Sequence, residues 1–237
     1  MNFDDADGDY TFSGPINLTG IASGIDIKSG SEGSFTFSGA TTIDVGGPSP
    51  SPSLHGIDIQ DNLNTTFNFS DTLNINSSAG SGINIANTGG EITFGSGMNS
   101  GAVNAPSTSG VAAVNIDTQT NSPTTHDLTV NFNGMAVNGS AGGPGIAVAG
   151  VTGTPVNLNI SDSAITGGDG GVDPGGGAGI GGAGGSGAGV NGTGSGGNVN
   201  IVLNANTTIT GGAGGSSAGG GAGIGGGGGG GGRGVTT

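Results

Sequence analysis

The chain has 237 residues, of which 60 are Gly, 8% are charged and 4% are aromatic, and it contains neither Cys nor Trp; only an architecture that buries little side-chain volume per residue suits it. Sixteen acidic residues against Lys28 and Arg233 give a net charge of −14, which argues against nucleic acid and against an anionic membrane surface. No apolar run approaches the roughly 20 residues of a membrane-spanning helix, and without Cys there is neither a disulfide framework nor thiolate chemistry.

Residues 1–9 form an acidic N-terminal segment without the basic and apolar regions of a secretory signal. Its Asp5, Asp7 and Asp9, around Gly8, resemble the first half of a D-x-D-G-D calcium loop, in which close carboxylates supply hard oxygen ligands. These three are the candidate metal ligands. The competing reading is a solvated acidic terminus, since the flanking helices and distal Glu of an EF-hand are missing.

From residue 10 to 166 a three-part unit recurs. Its first segment is G-I-x-I-like: GIDIKSG (24–30), GIDIQDN (56–62), GINIANTG (82–89), AVNIDT (113–118) and GIAVAG (145–150). A second segment follows each time, SFTFSG, TTFNFSD, EITFGSG, LTVNFNG and VNLNIS, with apolar residues at alternate positions as in a half-buried strand. The third, such as TTIDVGG, TLNINSS, MAVNGS and SAITGG, closes each unit, and its copy around Ala102 and Val103 is poor. The pattern predicts a column of interior side chains that includes Ile25, Ile27, Phe35, Phe37, Ile43 and Val45, then Ile57, Ile59, Phe67, Phe69, Leu73 and Ile75.

Residues 167–237 continue the pattern with less to bury: 35 of the 60 Gly lie here, while every Phe and the single Tyr precede residue 133. The framework ITGGDGGVDPGGGAGIGG (165–182) returns as ITGGAGGSSAGGGAGIGG (209–226), about 44 residues later. The glycine tracts read either as long flexible loops or as bundled polyglycine helices bonded through their neighbours. With no helical periodicity anywhere, three short strands per unit predict an all-β fold: a single-stranded parallel β-helix of about six coils with Gly-rich insertions, right-handed by the usual sense of parallel crossovers.

Asp26, Asp58 and Asn84, with Asn115 next, occupy one position of successive first segments. In a parallel stack they form an outward ladder at about 4.8 Å spacing, where paired carboxylates either recruit a cation or repel in solvent. Asn68, Thr93, Asn157 and Asn200 read as structural ladders of the same kind. Catalytic actors are few. His55 and His126 have no metal-like partner at short spacing, Asp58 with Asp61 is the least implausible glycosidase pair, and neither G-K-[ST] nor a strand–G-x-G-x-x-G–helix unit is present. No enzyme activity and no cofactor is expected, calcium at the acidic segment being the only ion considered.

The runs GIDIKSGSEGSFTFSG (24–39) and VNIVLNANTTITGGAGG (199–215) resemble the passenger repeats of bacterial autotransporters and related large surface adhesins, over most of residues 10–230. The resemblance implies a right-handed parallel β-helix displayed at the bacterial outer membrane, attaching to host or neighbouring cells or to glycans without cofactors and without itself entering the membrane. It also implies that this chain is a piece of a longer one, since export signal and membrane barrel are lacking. GAGIGGGGGGGGRG (221–234) is similar to the glycine-rich modules of phage tail-fibre adhesins, which present loops to a host receptor. A polysaccharide-active β-helix enzyme is the third expectation.

Overall fold

The computed structural model describes residues 1–21, 23–46, 54–78, 80–106, 110–117, 127–149, 156–170, 175–181, 199–216 and 218–225. All described regular structure is strand, and the strands form three parallel sheets of 8, 7 and 7 members. Each sheet takes every third strand in chain order, which is a parallel β-helix with three strands per coil. Seven coils are complete and an eighth is begun. The acidic segment is the first strand of coil 1, because Phe3 turns its ring into the core and Asn2–Asp4 pairs with Ile25–Lys28.

The first sheet, from the N-terminus, is β1 (Asn2–Asp4), β4 (Ile25–Lys28), β7 (Ile57–Gln60), β10 (Ile83–Ala86), β13 (Val114–Asp117), β16 (Ile146–Ala149), β19 (Ile180–Gly181) and β22 (Ile224–Gly225). The second is β2 (Asp9–Phe12), β5 (Ser34–Phe37), β8 (Thr65–Phe69), β11 (Gly90–Phe94), β14 (Leu128–Asn133), β17 (Val156–Ser161) and β20 (Val199–Leu203). The third is β3 (Ile16–Ile21), β6 (Thr41–Val45), β9 (Leu73–Ser77), β12 (Gly101–Asn104), β15 (Met135–Asn138), β18 (Ala164–Thr166) and β21 (Thr208–Thr210).

Period-two alternation sends one set of side chains from each sheet into a shared interior. The register stacks like upon like. Ile25, Ile57, Ile83, Val114, Ile146, Ile180 and Ile224 form one column, and Phe12, Phe37, Phe69, Phe94 and Phe132 form another. Consecutive rings of the second column lie 4.8, 4.5, 5.8 and 5.3 Å apart, all stacked. Val103, in the copy of the third segment that reads poorly in sequence, is wholly buried in a regular strand paired on both sides. That strand starts at Gly101 because φ is +124° there and a Cβ would fall on the Leu73 carbonyl.

Corners between the first and second sheets share one device. Asp5, Ser29, Asp61 and Asn87 each follow the first strand of coils 1 to 4, and each has φ between 50° and 62°. Short polar side chains tolerate this left-handed turn better than others do.

The C-terminal coils use glycine instead. The segment leaving the third sheet and the segment returning to the first interleave: the Gly168 N–H donates to Gly143, Gly177 to Gly168, Gly212 to Gly177 and Gly221 to Gly212, at 2.8, 2.9, 2.8 and 2.8 Å. A Cβ at Gly168, Gly177, Gly212 or Gly221 would fall on the carbonyl of a neighbouring segment. None of these four has positive φ, so space and not torsion demands glycine. The repeated ITGG and GGGAGIGG motifs are the two halves of this seam. The tracts 182–198 and 226–237, for which loops and polyglycine helices compete, lie outside the described residues, as do His126 and Arg233.

Candidate functional site

Asp5, Asp7 and Asp9 serve the turn between β1 and β2. Asp5 supplies the left-handed corner and donates its N–H to the Lys28 carbonyl at 3.3 Å, Asp7 accepts from the Glu32 N–H at 3.2 Å, and Asp9 opens β2. Among the described residues no three His, Cys, Asp or Glu side chains converge as a metal site would require.

On the outer side of the first sheet, Asp26 lies in register with Asp58, and Asn84 and Asn115 follow. Asp58 and Asn84 are only 3% and 5% exposed, so this part of the ladder does not face solvent. Adjacent carboxylates would repel; a cation and two amides answer that. Asp58 takes an ion pair from Lys28 at 2.9 Å, a hydrogen bond from Gln60 at 2.6 Å and one from Asn84 at 2.8 Å, while Ser23 donates to Asp26 at 2.9 Å. Burial works to lower the Lys28 pKa, but the hydrogen bond and charge of Asp58, with Asp26 and Asp61 behind, outweigh it and hold the ammonium above its ordinary value. Asp61 accepts from Asn87 at 2.7 Å, and the ring Nδ1 of the half-buried His55 donates to the Ser81 carbonyl at 3.3 Å. Each of these candidate catalytic groups is thus engaged in holding one coil to the next.

The second and third sheets present something different outward. Along the second, one column reads Asp9, Ser34, Thr66, Glu91, Thr129, Asn157 and Asn200, and the other Thr11, Thr36, Asn68, Thr93, Asn131, Asn159 and Val202. All fourteen are solvent-accessible, and eleven carry a hydroxyl or an amide. Asp9 and Glu91 are the two charged members of the fourteen. The third sheet offers Asp44, Asn76, Asn104, Asn138, Thr166 and Thr210 beside a column of small residues.

Ladders hold these side chains in place, with one polarity. Asn76 donates to Asp44 at 2.7 Å, Asn104 to Asn76 at 2.8 Å and Asn138 to Asn104 at 2.9 Å. On the second sheet Asn131 donates to Thr93 and Glu91 at 3.0 Å each, Asn159 to Asn131 at 2.8 Å, and Asn200 to Asn157 at 3.0 Å. Every one of these bonds runs from the later coil to the earlier. Where the ladder stands on Asp44 or Glu91 the cause sits at its foot: a carboxylate only accepts, so the amide above must turn its Nδ2 down and leave its Oδ1 facing up for the next.

The outer face of the second sheet is visible in sequence only as alternating polar residues whose neighbours lie 25 to 43 positions away. No family model and no curated protein matches the sequence, and no solved structure matches the fold.

Proposed function

We propose that the chain is a non-enzymatic attachment and spacer segment of the cell-surface adhesin type: a rod of stacked coils that displays hydroxyl- and amide-bearing faces to a neighbouring cell or glycan. The observation that carries this reading is the second sheet's outer face, seven rows long, accessible throughout and built mainly of hydroxyl and amide side chains. Such a face forms many weak hydrogen bonds at once and gains by summation. The chemistry of the first sheet supports the same reading, because its carboxylates are occupied by structural partners.

Beads coated with the full chain are expected to attach saturably to cells or to a glycan surface, and Asn131→Arg, on the second face, to weaken that attachment. Beads that attach to nothing would leave a passive spacer. The glycine seam favours a second reading for the C-terminal coils, a receptor-binding module like those of phage tail fibres, in which cross-bonded glycines carry presented loops. Attachment to bacterial cells that survives Asn131→Arg but is lost on removing residues 182–198 would select it.

A further inference from the structure

We propose that β15 is bracketed by two self-modifying sites, Asn133–Gly134 and Asn138–Gly139, which the closed coil protects and which turn into carboxylates when coil 5 opens. The chain thereby keeps a lasting mark of each opening.

An Asn followed by Gly is exposed to attack from within, because no Cβ on the second residue hinders the approach of its nitrogen to the Asn side chain. The Gly nitrogen, giving up its proton, bonds to the Asn Cγ; the Cγ–Nδ2 bond breaks and Nδ2 leaves as ammonia with that proton. Water then opens the five-membered imide at either carbonyl, leaving Asp or an isomer whose main chain runs through the side-chain carbon. An amide and water are consumed, ammonia and a carboxylic acid are formed, and no oxidant or enzyme is needed.

The fold gives each member of the two pairs a structural reason to be there. Gly134 has φ of +72° and a Cβ on it would fall on the Gly97 carbonyl, while one on Gly139 would fall on those of Gly143 and Pro144. Asn133 accepts from the Ser161 hydroxyl at 2.7 Å, and Asn138 donates to Asn104 at 2.9 Å. The same packing closes both sites. The Gly134 N–H donates to the Ser161 carbonyl and the Gly139 N–H to the Thr166 carbonyl, at 2.9 Å each, so each attacking nitrogen is tied to coil 6 and turned from its own Asn. Asn138 is exposed, so water is at hand and its protection is conformational. A third Asn-Gly pair, Asn191–Gly192, lies outside the described residues.

Local opening of coil 5 breaks these ties and frees the nitrogens. Reclosure then meets a changed ladder. A carboxylate at 138 has no proton to give, and it faces the Asn104 oxygen that Asn138 now reaches, against the polarity set by Asp44. Asn76 and Asn104, below it in the same ladder, are followed by Ser77 and Ala105 and lack an unhindered neighbour.

The test holds the full chain folded in mildly alkaline buffer, or unfolded in concentrated urea at the same pH, and weighs peptic peptides for conversion of amide to acid. Conversion at Asn133 and Asn138 is expected to be about tenfold or more slower in the folded chain, with Asn76 and Asn104 slow in both states. Equal rates in the two states at Asn133 and Asn138 overturn the proposal. In urea below the unfolding transition, conversion at both sites should rise in step with hydrogen exchange of the Gly134 and Gly139 amides; conversion that ignores that exchange overturns control by opening. Asn138→Asp, made directly, should melt below the wild-type chain at neutral pH, and Asn138→Ser, which keeps a donor, between the two. An Asn138→Asp chain as stable as the wild type overturns the lasting mark on the ladder.

Discussion

Coils 2 to 5 and coils 6 to 7 are built on the same register but held by different means. In the former, rings and branched side chains fill the interior, and Phe37, Phe69, Phe94 and Phe132 are all wholly or almost wholly buried. In the latter the interior thins toward the end: coil 6 still buries Val156, Leu158, Ile160 and Ile165 completely, but Leu203 in coil 7, in register with Ile160, is 47% exposed, and the glycine seam adds backbone-to-backbone bonds beside this shrinking core. A coil can be fixed by what it buries or by how closely its main chain approaches its neighbour's. The first device tolerates a glycine; the second tolerates nothing else.

Removing each device should separate them. The largest loss is expected for Phe69→Ala, whose ring lies between those of Phe37 and Phe94 at 4.5 and 5.8 Å; truncating a buried aromatic costs about 3–5 kcal/mol, readable as a drop in chemical-denaturation midpoint. Gly177→Ala comes next, at roughly 1–3 kcal/mol for overpacking. Because coils contact only their neighbours, its hydrogen-exchange protection should fall in coils 6 and 7 and hold in coils 2 to 4, while Gly14→Ala, where a Cβ meets nothing within 4 Å, should change neither. If both glycine variants behaved alike, the seam would not be what orders the C-terminal coils.

Smaller effects sharpen the contrast within the aromatic half. Asp58→Ala strips partners from Lys28, Gln60 and Asn84 and should cost about 1–3 kcal/mol, the lower part of the range being favoured because Lys28 is 37% exposed and can rehydrate. Raising the pH should produce a weaker version. A lysine whose pKa is raised by folding stabilises the fold fully below its unfolded value of 10.5, and that contribution fades as pH climbs through the raised value. A melting temperature falling above that pH in the wild-type chain and less so in Lys28→Met would confirm the sign. Smallest is Asn104→Asp, which sets a carboxylate against the Asn76 oxygen that Asn104 now reaches at 2.8 Å; about 0.5–1.5 kcal/mol is expected, shrinking at acid pH when the new carboxyl carries a proton to donate.

Much of this fold can be read from residue order. The G-I-x-I segments and the alternating runs place the coils, and the glycine before most first strands is explained by the carbonyl or branched side chain its Cβ would strike, as at Gly24, Gly56 and Gly82. Four things are not legible. Asn2–Asp4 holds a single apolar residue, so only the partner strand reveals that Phe3 is part of the core. Asp26 and Asp58 sit in identical four-residue segments, yet one is half-buried and the other almost fully so, because the difference lies in Lys28 and Gln60, contributed by adjacent coils. The described glycines of the ITGG and GGGAGIGG motifs do not announce their close contacts, since those come from carbonyls as far as 43 residues away in the chain, as between Gly176 and Gly219. The second face likewise exists only once the register is known: its columns take one residue from each coil.

The common polarity of the side-chain ladders bears on how such a chain can lengthen. A duplicated coil carrying Asn in a ladder column fits at any height above the carboxylate, because it accepts from the coil above and donates to the one below, as Asn76 and Asn104 do. A duplicated coil carrying Asp would set acceptor against acceptor unless a cation came with it. Asp58 above Asp26 is that case, and Lys28 is the cation. Duplication of a coil is thereby tolerated more readily with asparagine than with aspartate in a ladder column, and residues 165–182 and 209–226 still share their framework.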